Sequence, residues 1–211
     1  MKLFLKYMCS KEEKPRWLFD GYILSALNNK AGHSFAGCSD LSKAANKDEW
    51  LELIEYHCTK TIPLLDQATV QTAELTGVYP HRTKVIFTIP FPSYGHQDWG
   101  SVDGTALDFR NEADRLKACL WFIDAAFDRF SAGKFKNVEL VGFYWLNEDL
   151  GMSTHSRITQ NLINEVAHHI HCYGTEFYWI PYNDIHLYSD ARVEKWKEYG
   201  FDRVIYQPNY F

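Results

Sequence analysis

Apolar positions follow two periods along this chain. Five short runs are dense in aromatic and β-branched residues and are bounded by Gly, Pro or charge. They are Trp17–Leu27 (WLFDGYILSAL), Lys84–Pro92 (KVIFTIPFP), Val138–Leu146 (VELVGFYWL), Glu176–Tyr182 (EFYWIPY) and Arg203–Gln207 (RVIYQ). This pattern predicts strands. Val138, Leu140, Val141, Gly142 and Phe143 form a near-continuous apolar stretch, which suits a parallel strand buried on both faces.

Between these runs the period lengthens to that of a helix. Ser42 to Gly77 predicts two helices: Trp50, Leu53, Ile54 and His57 share a face, and Pro63 marks a break before Leu64, Leu65 and Ala68. From Phe109 to Gly133 the residues Leu116, Leu120, Ile123, Phe127 and Phe130 fall on one face, and Gly133 stops the helix. Ser156–Tyr173 and Asp190–Tyr199 complete the set, each followed by a glycine, Gly174 and Gly200. Strand and helix alternate without interruption, which predicts an α/β fold with a parallel sheet and crossover helices.

Such a sheet is either open and doubly wound or part of a (β/α) barrel. Neither GxGxxG nor GxxxxGK[ST] occurs, so a nucleotide-binding turn is not indicated. The segments after the strands read PFPSYGHQDWG, WLNEDLG, PYNDIH and QPNY. Proline, aromatic, acidic and amide residues in those places suit the rim of a TIM-barrel-like fold, where such barrels build their sites. Barrels of this kind close with about eight strands. The chain ends at Gln207-Pro208-Asn209-Tyr210-Phe211, where a strand meets its loop. Residues 1–211 therefore read as one partial (β/α) barrel domain of about five strands, with the first and last strands missing. Exposed apolar sheet edges follow from that.

Composition narrows the partners. The 22 Lys+Arg stand against 27 Asp+Glu, and no basic run occurs, which argues against nucleic acid. Aromatics make up 16% of residues, more than a core requires, and surplus rings suit a carbohydrate ligand. The five cysteines are widely spaced with no CxxC, so neither a disulfide framework nor a zinc site is expected. Cys58, Cys119 and Cys172 read as small buried apolar residues on helices. The N-terminal MKLFLKYMCSKEEK is too short in apolar residues for a signal peptide, and no run is long enough for a membrane span. The chain is either cytosolic or begins inside a longer one.

Several segments in order carry a family resemblance: WLFDGYIL, KVIFTIPFP with the following DWG, EADRLKACLWFIDAAFDRF, GFYWLNED, FYWIPY and YGFDRVIYQPNYF. Over Trp17 to Phe211 the chain resembles domain-of-unknown-function family 4855. The resemblance implies an uncharacterised, mostly Bacteroidetes protein with a glycoside-hydrolase-like TIM barrel, usually secreted or attached to the cell surface. It also implies a family chain that continues before Met1 and beyond Phe211. It supplies no reaction.

In retaining glycosidase barrels the acid/base Glu follows an Asn at the end of the fourth strand. If the first strand is missing, Val138–Leu146 is the fourth, and Asn147-Glu148 sits there. Glu148 is the candidate proton donor and Asn147 the candidate partner of a sugar hydroxyl. Otherwise Glu148 caps the next helix or pairs with a cation such as Arg157. Hydrolysis needs a second carboxylate about 5–10 Å away. Asp184 is the leading candidate, beside Asp20 and Asp149. Asp20 is either a satisfied core carboxylate or a sugar contact.

Tyr144, Trp145, Trp179, Tyr182, Tyr210 and Trp99 are candidate ligand-facing rings, with Trp99 expected to be the exposed one in its loop. His96 and Asp98 share that loop, and Gln207 and Asn209 follow the last strand as candidate hydrogen-bonders to hydroxyls. His168, His169 and His171 read as histidines near a helix C-terminus and not as a metal site. No metal or cofactor is expected, and the absence of GxSxG disfavours a serine hydrolase. The reading is a glycoside-hydrolase-like protein that acts on polysaccharide. The alternative is a non-catalytic carbohydrate-binding or scaffold domain whose affinity depends on Trp99 or Trp145. The sequence does not indicate an oligomeric state.

Overall fold

The apolar runs form strands, and the parallel ones assemble in chain order. A computed structural model of the chain describes residues 6–7, 15–79, 82–148, 150, 157–181 and 194–207. Its strands are β1 (Lys6–Tyr7), β2 (Arg16–Trp17), β3 (Gly21–Leu24), β4 (Thr83–Ile89), β5 (Ser101–Val102), β6 (Thr105–Ala106), β7 (Val138–Trp145), β8 (Glu176–Trp179) and β9 (Arg203–Val204). The α-helices are α1 (Lys47–Tyr56), α2 (Ile62–Thr76), α3 (Glu112–Gly133) and α4 (Gln160–Cys172). The main sheet has five strands in the order β3-β4-β7-β8-β9, every pair parallel. β1 pairs with β2, and β5 with β6, as short antiparallel ribbons. The run Trp17–Leu27 is thus split: its start belongs to the β1–β2 ribbon, and Gly21–Leu24 enters the sheet.

Cross-strand rows define two faces. Phe87, Phe143 and Phe177 align in one row, and Ile89, Trp145 and Trp179 in another. These rows join the main core with Trp50, Leu65, Phe122, Ile123, Ile163 and Ile170 from the helices. The opposite face carries Thr88, Tyr144 and Tyr178 in one row, and Ile86, Tyr144 and Leu146 form a smaller cluster there. A consecutive strand order with right-handed crossovers keeps the helices on one face.

A β-bulge tunes the centre of the sheet. Val85 pairs with Leu140 and Ile86 with Gly142, so Val141 is the extra residue. A Cβ at Gly142 would lie 2.1 Å from the Glu176 carbonyl oxygen and 2.6 Å from the Tyr178 ring. Only glycine lets β7 and β8 approach there.

Helix ends follow their local chemistry. Asn46 and Glu49 form a capping box at the start of α1, and the Thr159 side chain accepts the Leu162 N–H at the start of α4. Gly77 ends α2 in the left-handed conformation. α3 runs through Gly133, and Lys134 takes the left-handed cap, so the stop falls one residue later than the sequence indicates.

Other expectations are corrected. Pro63 does not break the helix. His57–Thr61 form a π-turn in which the Ile62 N–H donates to His57 O, one residue further back than in an α-helix. The wider turn accommodates a proline that can neither donate nor tolerate the usual carbonyl beneath it. In α3 the deepest stripe is Arg115, Ala118, Cys119, Phe122, Ile123 and Ala126, while Leu116, Leu120 and Phe130 are only partly buried. Cys58 and Cys119 are buried, but Cys172 is exposed at the end of α4. The Asp190–Tyr199 helix is a short 3-10 turn at Trp196–Tyr199 among the described residues.

His57 is buried in this frame. Its Nδ1 lies 3.3 Å from Thr61 Oγ1 and its ring packs edge-on against Phe87. Burial pushes its pKa down to about 4. The unfolded chain therefore takes up this proton first, and stability falls as the pH drops from about 6.5 to about 4. Replacing His57 with Leu is expected to remove roughly 3 kcal/mol of that acid-dependent loss, read as urea midpoints across the window. An unchanged slope would contradict the buried neutral imidazole. Gly142→Ala is expected to cost about 1–3 kcal/mol by the same measurement, because backbone must move to admit the methyl; a neutral effect would contradict the close β7–β8 approach.

Candidate functional site

A parallel sheet ends its strands at one edge, and the loops leaving that edge bring distant residues together. After β7, Leu146 stays buried and Asn147 and Glu148 turn out of the sheet, half-buried. The Trp179 indole N–H donates to Asn147 O at 3.1 Å, which pins this turn to the end of β8. After β9 the chain folds back, and the Gln207 N–H donates to Pro181 O at 3.4 Å. The Gln207 side-chain amide donates to Ile180 O and to Glu148 Oε1, each at 3.2 Å. The exits of β7, β8 and β9 are thereby tied to one carboxylate.

Unpaired polar atoms accompany it. Asn147 Oδ1 and Thr88 Oγ1 are buried with no hydrogen-bond partner. Thr88 sits beside Tyr144 in the β4–β7 register, on the face away from the helices. Burial, and then the Glu148 charge, push the Tyr144 pKa up to about 12. The edge thus combines a half-buried carboxylate, a protonated phenol, and two buried oxygens left without partners. Orphaned buried acceptors are rare and call for an explanation.

Of the residues singled out in the sequence, Tyr144, Asn147, Glu148 and Gln207 meet here. Arg157 does not pair with Glu148; its guanidinium lies against Tyr94. Asp20 belongs elsewhere. It is three-quarters exposed, precedes β3 at the opposite end of the sheet, and lies 3.5 Å from Lys84, so it is neither a core carboxylate nor a neighbour of Glu148. Trp99 is 1% exposed, packed against Trp50, Phe109 and Trp121 in the main core, and is not an exposed loop ring. Trp145 and Trp179 are likewise buried on the helix side of the sheet. Their rings complete the core, where they contribute more than they would in a solvent-facing loop. His96 is buried edge-on to Phe109, with its pKa lowered by burial against the opposing Asp98 and Glu49 charges, while Asp98 is exposed. Asp184, Asp149, Tyr182, Asn209 and Tyr210 lie outside the described residues. Thr88 escaped notice, although a hydroxyl inside the apolar run KVIFTIPFP is a sequence signal.

A cavity of about 520 Å³ opens beside the loop after β3, lined in part by Asn29, Phe35, Glu49, Glu52, Leu53 and Tyr56. Its Glu49 is already engaged. Oε1 accepts from Asn29 and lies 2.6 Å from His33 Nδ1, and Oε2 accepts the Asn46 N–H at 2.9 Å. Burial opposes these contacts, yet together they hold its carboxyl below the usual range. This carboxylate clasps the loop to α1. In the histidine run, His169 meets Asp124 at 2.6 Å and His171 meets Asp202 at 2.8 Å. Among the described residues no group of three or more His, Cys, Asp or Glu is placed to hold a metal ion, and no helix is long and apolar enough to cross a membrane.

The sequence matches the family described as Domain of unknown function (DUF4855) over residues 2–211, and the chain belongs to that family. No curated protein and no solved structure matches it.

Two further phenols share the Tyr144 effect. Tyr22 and Tyr144 are raised to about 12, chiefly by burial, and Tyr173 to about 12, chiefly by its hydrogen bond to Asp124. The unfolded chain loses these protons near pH 10 and the folded chain near pH 12, so stability is full below pH 10 and is lost as the pH rises through this window. Tyr144→Phe is expected to flatten part of the fall in urea midpoint between those limits. A variant as alkali-sensitive as the parent would contradict the buried phenol beside Glu148.

Proposed function

We propose that this member of the family is a glycosidase-type (β/α) barrel protein that acts on polysaccharide, with Glu148 as the proton-transfer residue. The observation that carries the reading is the half-buried Glu148 at the exit of β7, held by Gln207 from the exit of β9. The consecutive parallel order of the sheet supports the barrel assignment, because doubly wound sheets reverse their order at the ligand crevice. Glu148 would protonate the leaving glycosidic oxygen and then activate water. Asn147 Oδ1 would accept from a sugar hydroxyl, which would remove its orphaned state. The second carboxylate would come from Asp184, in the segment after β8.

One observation favours a second reading. The group facing Glu148 among the described residues is the Gln207 amide, not a carboxylate. A rim with one carboxylate and surrounding amides binds sugar without cleaving it. The chain is then a carbohydrate-binding domain on a barrel that does not catalyse.

Glu148→Gln keeps the shape and hydrogen-bonding capacity of the side chain but cannot shuttle the proton. Its expected effect is a loss of at least about 100-fold in reducing-end release from any polysaccharide the parent cleaves, with an unchanged melting temperature. Unchanged turnover removes Glu148 from the mechanism. Glycan affinity in the parent without any reducing-end release selects the binding reading.

A further inference from the structure

At this edge two arginines meet one aromatic ring, in a protein whose net charge is −5. Tyr94 lies in the β4–α3 connection, Arg115 in the first turn of α3, and Arg157 in the β7–α4 connection just before the Thr159 cap. The Arg157 guanidinium carbon is 4.2 Å from the Tyr94 ring centroid and that of Arg115 is 5.7 Å away. Arg157 Nη1 donates to Tyr94 Oη at 3.0 Å, and Arg115 Nη1 donates to the Arg157 carbonyl at 2.9 Å.

The two arginines play different parts. Arg115 is 3% exposed and fixes the backbone of Arg157. Arg157 is exposed and stands in the left-handed region at φ 43°. Among the described residues no carboxylate lies within ion-pair distance of Arg157. Glu112 acts on Arg115, and Arg110, whose charge also reaches Tyr94, is taken up by Asp108. Burial lowers the Arg115 pKa, and the like charge of Arg157 adds to that. With Nη1 engaged on Tyr94 Oη, the Nε–Nη2 edge of the Arg157 guanidinium is the fork that would meet the two oxygens of a carboxylate or sulfate.

We propose that Tyr94, Arg115 and Arg157 form a subsite on the Glu148 rim for the anionic group, a carboxylate or a sulfate, of an acidic polysaccharide. Arg157 touches the anion, Tyr94 sets the plane of its guanidinium, and Arg115 is a positioning residue. This inference rests on the carbohydrate reading above and narrows its substrate class.

The test is calorimetric titration of the full chain with oligogalacturonate, a sulfated galactan oligosaccharide, and a neutral galactan oligosaccharide of equal length. One acidic ligand is expected to bind at least about tenfold tighter than the neutral one, with a preference that fades as salt rises. Whichever acidic ligand is preferred identifies the anion. Arg157→Gln is expected to abolish the preference while leaving neutral-sugar affinity and melting temperature unchanged. Arg157→Lys, which keeps the charge without the fork, should retain only part of it and guards against a folding defect in the first variant. Equal affinity for acidic and neutral ligands overturns the subsite and leaves the carbohydrate reading standing, as does a preference that survives in Arg157→Gln. Failure of all three oligosaccharides to bind overturns both.

Discussion

The ladder between β4 and β7 runs from Thr83 opposite Val138 to Ile89 opposite Trp145. It forms the middle of the sheet, and from Ile86 and Gly142 onward both faces of it are buried. Phe87 and Phe143 stack on the helix side, while Ile86 and Tyr144 join the smaller cluster on the other. A slip of one residue would exchange these faces and place Thr88 among the helices. The bulge at Val141 sets the register, and Gly142 lets β8 follow closely. Tyr144, Asn147 and Glu148 leave the sheet in fixed directions because of this pairing.

The rim follows from a division of labour among aromatic residues. Trp50, Trp99, Trp145 and Trp179 are all fully buried. They close the core between the sheet and the helices, and Trp179 also reaches out with its indole N–H to hold the turn before Glu148. What remains at the edge is polar: a carboxylate, amides, a phenol and a threonine hydroxyl. Two of its oxygens, Asn147 Oδ1 and Thr88 Oγ1, are buried without a hydrogen-bond partner. The Tyr94–Arg115–Arg157 cluster stands among the loops at the same edge.

Much of the fold was legible in the sequence, and the reasons can be named. The run KVIFTIP is apolar on both faces, which suits a central parallel strand, and β4 occupies that place. Glycines at the helix ends were readable because left-handed caps favour them, as at Gly77. The depth of individual side chains was not legible. Trp99 lies in a loop, yet residues far away in sequence, Trp50 and Trp121, enclose it. Asp20 sits in an apolar run, but the strand begins one residue later, so its carboxylate stays in solvent. The π-turn was hidden because Pro63 signals an interruption without saying how it is absorbed. At the site, Asn147-Glu148 stood out by its position at a strand end. The contact from Gln207 and the pairing of Arg157 with Tyr94 arise from tertiary structure alone.

The most direct measurement is a crystal structure of the Glu148→Gln variant soaked with the oligosaccharide that the parent binds best. The account predicts a sugar ring at the C-terminal edge of the sheet, with a hydroxyl on Asn147 Oδ1 and the glycosidic oxygen within hydrogen-bond reach of residue 148. A sugar lodged instead in the cavity beside Asn29 and Glu49, or at the Asp20–Lys84 end of the sheet, would contradict it.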